Sequence, residues 1–267
     1  MAIQLGCSTI VYREESLEVA LAQIALHQFH SVDIGMIPSF CPHFNPLLAS
    51  EGEKAKLGEQ LKNMNLVVST LNVCSGDLKK RDEEIKFIKS SLDLAKNLDT
   101  YAVTVQSSAS VSPQDWLNVA KQLAKDFKEL AGYAQSERQD LAIEMHKEAF
   151  IETPKQAMDF LDLVDRENIG VTFDPAHLVW AGIDPAKAIY QLTDLIKHVH
   201  IKDARGKDIH LSVGDGEVDF LSLFQALEQT NYTRGLTLEI EPLSSHLQDI
   251  NNEVRKSTDY LNQITGA

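Results

Sequence analysis

Short apolar segments alternate with longer amphipathic segments along the whole chain. An apolar run of four to eight residues is typical of a buried strand, whereas apolar residues spaced three or four apart are typical of a helix. The intervals between the apolar runs predict helices, so the pattern indicates a regular alternation of strand and helix. Eight segments fit the strand pattern: Ile3–Ser8, Ser31–Gly35, Leu66–Val73, Ala102–Gln106, Leu141–His146, Gly170–Asp174, His198–Lys202 and Leu236–Glu241.

The interval after the third strand shows the helical spacing most clearly. Its apolar positions fall on one face of a helix with 3.6 residues per turn. Three other helix starts are marked by a capping residue followed by proline, which loses no needed donor at the first helical position. The apolar face is Ile85, Ile88, Leu92, Ala95 and Leu98, and the capped starts are Ser112-Pro113, Thr153-Pro154 and Asp184-Pro185.

Alternating strands and helices predict a parallel sheet joined by right-handed crossovers. Eight such units favour closure into a (β/α)8 barrel, which typically takes about 250 residues, and this chain has 267. A dinucleotide-binding Rossmann sheet would need G-x-G-x-x-G after the first strand, where LGCSTIVYRE has a single glycine. We therefore expect an α/β protein with a (β/α)8 TIM barrel, in a single domain over residues 1–267.

Composition limits the cellular compartments and the binding partners that we expect for this chain. The formal net charge of −14 disfavours binding to nucleic acid or to an anionic membrane. Cys7, Cys41 and Cys74 form no C-x-x-C pair, and their odd number suits a reducing cytosol. The amino terminus lacks the features of a signal peptide, and no run approaches the ~18 apolar residues that a membrane span needs. We expect a cytoplasmic protein without nucleic-acid or membrane partners, and homo-oligomerisation stays open.

Residues with metal-ligand chemistry recur at strand ends in the second half of the chain. The carboxyl ends of barrel strands meet at one mouth, where the active sites of TIM barrels lie. Because side chains alternate faces along a strand, the polar residues share one face and their apolar neighbours the other. The pattern predicts one metal site at the mouth. The pairs are Glu144 and His146, Asp174 and His177, His198 and His200, Asp208 and His210, and Glu239 and Glu241.

Each residue taken alone has a simpler interpretation. Glu144 is also explained as a hydrogen-bonded core carboxylate, and Asp174 as a helix cap. His200 is also explained as an ordinary hydrogen-bonded histidine. Lys202 and Asp203 fit a surface ion pair at the strand exit at least as well as a catalytic role.

The first half of the chain carries weaker signals. Gln4, Asn72, Thr104 and Gln106 are neutral polar residues at inward positions, and they suit hydroxyl recognition better than metal binding. The loop over residues 36–46, MIPSFCPHFNP, is rich in proline and aromatic residues. It fits a lid over a substrate and a packed connection equally well.

At these motifs the chain resembles the xylose isomerase-like superfamily of TIM barrels. That superfamily groups sugar isomerases, epimerases, inosose dehydratases and endonuclease IV, and the resemblance is sharpest from Leu141 to Pro242. The superfamily motifs fall on Glu144 (fifth strand), Asp174 and His177 (sixth), His200 to Asp203 (seventh), Glu239 with Glu241 as the alternative (eighth), and His210 with the GDG turn Gly214–Gly216.

The resemblance implies one divalent ion held by Glu144, Asp174, His200 and Glu239. Three carboxylates and one imidazole suit Mn²⁺, Mg²⁺, Zn²⁺ or Co²⁺, so the ligand types leave the identity of the ion open. The resemblance further implies that Glu144 and Glu239 are catalytic and move a proton through a metal-bound enediolate. Lys202 is the expected electrophilic helper.

Other motif residues are expected to bind the substrate around these ligands. In two places the chain departs from the tagatose epimerase-like pattern: Phe150 stands where that pattern has a second glutamate, and Gly206 where it has an arginine. The departures disfavour a free-ketohexose epimerase and leave the metal site intact. The expected substrate-binding residues are His146, His177, His210, Glu241 and Arg205.

We therefore predict a metal-dependent isomerase or epimerase of a sugar or sugar phosphate, with a small carbohydrate or cyclitol as substrate. An inosose dehydratase or isomerase-type lyase is the alternative. An endonuclease IV-like nuclease would need two further histidines on the second to fourth strands, but STLNVC and TVQSS contain none. A non-catalytic sugar-binding barrel is disfavoured by the intact set of ligands.

Overall fold

Eleven strands are present in the computed structural model of the chain, which describes residues 5–73, 81–107, 109–241 and 249–266. Eight of them are parallel and close into a barrel. The strands are β1 Leu5–Ser8, β2 Ser31–Ile37, β3 Cys41–Pro42, β4 Val67–Val73, β5 Ala102–Val105, β6 Asp140–Glu144, β7 Ile169–Phe173, β8 Ile196–Ile201, β9 Asp203–Arg205, β10 Asp208–Leu211 and β11 Leu236–Leu238.

The barrel strands pair in the order β1-β11-β8-β7-β6-β5-β4-β2, and β1 also pairs with β2, so the ring is closed. The strand β3 pairs antiparallel with β2, while β9 and β10 form a separate antiparallel hairpin after β8. The predicted (β/α)8 TIM barrel is therefore confirmed.

Helices follow the barrel strands and bury one apolar face each. On the third helix Ile88, Leu92 and Ala95 are buried, as the spacing predicts. Among the described residues, no helix combines the length and the apolar character needed to cross a membrane. The helices are α1 Leu17–Leu26, α2 Glu51–Asn63, α3 Arg81–Asn97, α4 Trp116–Ser136, α5 Pro154–Val164, α6 Pro175–Trp180, α7 Pro185–Leu192, α8 Phe220–Gln229 and α9 Ile250–Thr265.

Two of the three predicted helix starts are correct. The side chain of Thr153 caps α5 in a capping box with Gln156, and Asp184 caps α7. The start at Ser112 is wrong, because α4 begins at Trp116. The Ser112 hydroxyl instead accepts from the amide of Asp115 in a turn, since the same local hydrogen bond stabilises both caps and turns.

Several barrel strands end earlier at the mouth than predicted, although β2 runs on to Ile37. The strand β6 ends at Glu144 and not at His146, whose amide bonds to the carbonyl of Ile151. The last barrel strand ends at Leu238, although the amide of Glu239 still bonds to Ile201 on β8. The start of the first predicted strand and Gln4 lie outside the described residues, as does Cys74.

Candidate metal centre

Four side chains from four consecutive positions around the barrel mouth converge on one point. Glu144 ends β6, Asp174 follows β7, His200 lies on β8 and Glu239 follows β11. Each offers one ligand atom, these atoms all lie within 4.8 Å of one another, and all four residues are buried. The structure thus brings together the four residues that the sequence predicts as metal ligands.

His200 lies at the centre of this cluster. Its Nδ1 is 3.0 Å from Oε1 of Glu144 and 3.2 Å from Oε2 of Glu239. In the ring of strands, β8 and β7 separate β11 from β6. The two glutamates therefore come from opposite sides of β8, and both contact Nδ1 of His200.

The two carboxylate oxygens of Asp174 have different surroundings. Its Oδ1 accepts from the amide of Ala176 at 2.8 Å and caps α6. Its Oδ2 has no hydrogen-bond partner within the described part of the chain, although the Nζ of Lys202 lies 3.0 Å away. The helix-cap interpretation is thus correct for one oxygen, while the second oxygen faces the ammonium group of Lys202 and the ligand cluster.

The electrostatics of the cluster are dominated by burial and by His200. Burial alone would raise the pKa of Glu144, but the hydrogen bond and charge of His200 lower it to about 2. At Glu239 burial prevails over the charge of His200 and raises the pKa to about 7. Burial alone would lower the pKa of His200, yet the charge of Glu239 and hydrogen bonds to Asp33 and Glu144 raise it well above its usual range. These carboxylates therefore strongly favour a positive charge between them.

Lys202 is buried among the same carboxylates. Its Nζ lies 2.8 Å from Glu241 and 3.6 Å from Glu239, in addition to its contact with Asp174. The predicted surface ion pair with Asp203 is wrong, because both side chains are 1% exposed and they have different partners. The backbone amides of the hairpin region, not Lys202, satisfy the Asp203 carboxylate.

A cavity of about 860 Å³ opens above the cluster. This volume lies within the range of about 300–1,000 Å³ that is usual for small-molecule sites. The loop over residues 36–46 contributes to its wall and so faces the cavity. The polar lining includes Glu144, His146, Lys147, His177, Lys202, His210, Glu239 and Glu241, and the apolar lining includes Ile10, Ile37, Pro38, Phe40, Leu47 and Phe87.

The predicted substrate-binding histidines all line this cavity. The rings of His146 and His177 are 3.9 Å apart between centroids. Both ring nitrogens of His177 are buried without a hydrogen-bond partner in the described structure, and burial lowers its pKa well below the usual value. His210 lies nearer the rim, with Nδ1 3.5 Å from Glu241. Nε2 of His177 lies 3.6 Å from Oδ2 of Asp174, so His177 adjoins the ligand cluster at the wall of the cavity.

Arg205 is placed differently from the other expected substrate-binding residues. It is exposed and donates to the carbonyl oxygen of Asp215. It does not belong to the lining of the cavity, since the β9–β10 hairpin turns its side chain toward the surface.

Two polar residues in the first half of the chain support the cluster from below. Asp33 on β2 is fully buried and lies 3.2 Å from Nε2 of His200. Asn72 on β4 donates to Oε1 of Glu239 at 3.2 Å. Sequence reasoning identified Asn72 as inward-facing but missed Asp33, whose only signal is an acidic residue between Val32 and Ile34 within a strand.

The matching protein-family model is described as a xylose isomerase-like TIM barrel, and it covers residues 21–264. The chain belongs to the xylose isomerase-like TIM barrel family. This match confirms the resemblance to the xylose isomerase-like superfamily.

Two sequence relatives illustrate the breadth of the family. An uncharacterised protein of Methanocaldococcus jannaschii is 26% identical over 253 residues, which cover 89% of this chain and 83% of that protein. An inosose dehydratase of Clostridium perfringens is 28% identical over 149 residues. The second alignment spans only 49% of each protein.

Two solved structures have the same fold at low sequence identity. The IolI protein with a bound zinc atom has a TM-score of 0.81 and 17% identity, and the match covers 98% of both chains. The D-allulose 3-epimerase from Methylomonas has a TM-score of 0.79 and 19% identity, again with 98% of both chains covered. At these identities the likeness establishes the shared barrel.

The cluster of this family member fits a divalent ion on its own geometry. Three buried carboxylates and one imidazole form a donor set that divalent first-row ions and Mg²⁺ accept. The Lys202 ammonium 3.0 Å from Oδ2 of Asp174 and the raised pKa of His200 both indicate that positive charge is stabilised here. The donor types leave the identity of the ion open.

Proposed function

We propose that this chain is a divalent-metal-dependent isomerase or epimerase of a small carbohydrate, either a sugar or a sugar phosphate. The observation that carries the proposal is the position of Glu144 and Glu239, which both face Nδ1 of His200 at the floor of the cavity. Moving a proton off and back onto a carbon requires a base and an acid at one place, and these two carboxyl groups supply them.

Glu144, Asp174, His200 and Glu239 would hold a divalent ion, which would supply Lewis-acid polarisation of the substrate oxygens and so a more acidic neighbouring C–H bond. One glutamate accepts that proton, and the C–H electron pair moves toward the carbonyl to give an enediolate. The other glutamate returns a proton to carbon. The buried ammonium group of Lys202, which also lines the cavity, stabilises negative charge on a substrate oxygen.

The cavity walls support a carbohydrate or cyclitol as substrate. Its floor is polar, while residues such as Phe40 and Phe87 form an apolar wall. A sugar ring presents hydroxyl groups at its edge and C–H groups on its faces, and a small ligand is held by an apolar wall with a few placed polar groups. The names of two similar proteins, an inosose dehydratase and a D-allulose 3-epimerase, point to the same substrate class.

Solvent-exchange measurements test the proposed proton transfer. The Mn²⁺-loaded protein is incubated in D₂O with a panel of keto-sugars, their phosphates and inososes, and products are followed by mass spectrometry and NMR. We expect deuterium at the reacting carbon of the product, because a carboxylate proton exchanges with solvent. Glu144→Gln should stop the exchange, since the amide can neither accept the proton nor supply the charge of a metal-ligating carboxylate. Turnover without label at that carbon would contradict the proposal.

Dehydration of a cyclitol is the second candidate, favoured by the sequence match to an inosose dehydratase. The same two glutamates would then remove a proton from carbon and protonate a departing hydroxyl group. The panel separates the candidates, because a dehydratase product lacks one water whereas an isomerase or epimerase product keeps the mass of its substrate.

A further inference from the structure

Asp33 lies directly beneath the candidate metal centre. It is at the middle of β2, with no exposed surface, and its Oδ2 is 3.2 Å from Nε2 of His200. A buried carboxylate is costly unless hydrogen bonds or opposite charges compensate it. Within the described part of the chain, Oδ1 of Asp33 has no hydrogen-bond partner. Its contact with His200 therefore compensates an otherwise poorly satisfied charge.

The imidazole of His200 spans the space between two sets of acidic groups. Nδ1 faces Glu144 and Glu239 at 3.0 and 3.2 Å, while Nε2 faces Asp33. When a metal ion takes the lone pair of Nδ1, the ring proton lies on Nε2, where the carboxylate of Asp33 accepts it. The lone pair of Nδ1 is then directed at the point where the carboxylates converge.

We propose that Asp33 is a positioning residue, which holds His200 in the orientation and tautomer that present Nδ1 to the metal ion. The inference deepens the proposed function and rests on it. A carboxylate behind a ligating histidine fixes the ring and makes its ligating nitrogen more basic, and loss of such a partner typically weakens metal affinity about 10- to 100-fold. Asp33 does not line the cavity, and it contacts the proposed ligand set through His200, so its effect passes through that side chain.

Asp33, His198 and His200 also lie close enough together to be considered as a second set of metal ligands. The hydrogen bonds of His198 oppose that alternative. Its Nδ1 lies 2.7 Å from the hydroxyl of Tyr101, and its Nε2 lies 2.6 Å from the hydroxyl of Thr237. Since both ring nitrogens are hydrogen-bonded, His198 belongs to the barrel interior. Its Nε2 lies 3.9 Å from Oδ2 of Asp33, farther than the 3.2 Å of Nε2 of His200, so Asp33 acts mainly on His200.

An Asp33→Asn variant tests the inference, because it keeps the size of the side chain and removes its charge. Zn²⁺ affinity is measured by competition with a chromophoric chelator, and folding is checked by circular dichroism. We expect the dissociation constant to rise about 10- to 100-fold. Tyr101→Phe is the control: it removes the hydroxyl that contacts His198 and accepts from the amide of Gly235, and its affinity should stay within about twofold of wild type because it keeps the contact between Asp33 and His200.

Nitrogen NMR of the Zn²⁺-loaded wild type, labelled with ¹⁵N-histidine, gives a readout that does not depend on the variant folding. His200 should show a protonated Nε2 and a metal-bound Nδ1, with the resonance assigned by its loss in His200→Gln. Metal bound through Nε2 of His200, or wild-type affinity in a folded Asp33→Asn protein, would overturn the role of Asp33 and leave the metal centre intact. Failure of the wild type to bind Zn²⁺ would overturn the metal centre and this inference together.

Discussion

A Glu239→Gln variant is expected to lose the divalent ion that the wild-type chain takes up at about one equivalent. Oε2 of Glu239 lies 3.2 Å from Nδ1 of His200 and belongs to the four-ligand cluster. An amide supplies neither the negative charge nor the two equivalent oxygens of a carboxylate. We expect affinity to fall by more than about a hundredfold, beyond the effect typical of an indirect partner, as measured by metal analysis after desalting.

Glu241→Gln is the matched control, with the same substitution two residues away. Glu241 pairs with Lys202 and His210 and lies outside the four-ligand cluster. Its variant should keep the ion, although substrate turnover is expected to fall because Lys202 loses its nearest partner. Retention of metal by Glu239→Gln together with its loss in Glu241→Gln would show that the ligand assignment is reversed.

An Asp203→Ala variant is expected to be the least stable of the variants considered. Oδ1 of Asp203 accepts from the amides of Ala204 and Val218, and Oδ2 accepts from those of Gly214 and Gly216. Hydrogen bonds to a charged acceptor contribute about 1.5–3 kcal/mol each, and water entering the vacated space offsets part of the loss. We expect the free energy of unfolding to fall by about 3–5 kcal/mol in urea denaturation.

Asp208→Ala is the control for this variant, because Asp208 is exposed and accepts a local hydrogen bond from the amide of His210. Its free energy of unfolding should change by less than about 1 kcal/mol. The same turn explains the second glycine of the GDG motif. A Cβ at Gly216 would lie 2.1 Å from Oδ1 of Asp203, so a larger residue would displace the carboxylate. An Asp203→Ala protein as stable as the Asp208→Ala control would contradict this structural role.

Much of the barrel and its mouth could be predicted from sequence because strand alternation and the parallel arrangement of the strands act together. Strand alternation places Glu144 and His200 on inward faces, and the carboxyl ends of parallel strands meet at one end of the barrel. Boundaries were less predictable at Met145 and His146, which continue the apolar-polar alternation although β6 has already ended. The apolar-polar alternation indicates which side chains are buried. The end of a strand depends instead on where the backbone hydrogen bonds to its neighbours stop.

The roles of Asp33 and Asp203 could not be predicted because each depends on partners far away in the chain. Asp33 bonds a histidine 167 residues later, and no local pattern encodes that pairing. Lys202 and Asp203 are adjacent charges of opposite sign, which favoured an ion pair. In the fold, successive residues of an extended segment face different ways, so Lys202 joins the cluster while Asp203 binds backbone amides.

The position of the bound ion tests the central claim most directly. Crystals of the Mn²⁺-loaded protein, measured at a wavelength where manganese scatters anomalously, locate the ion without reference to activity. One dominant peak is predicted at about 2.0–2.6 Å from oxygens of Glu144, Asp174 and Glu239 and from Nδ1 of His200. A stoichiometrically bound ion whose peak lies elsewhere, such as between Asp33 and His198, would contradict the account.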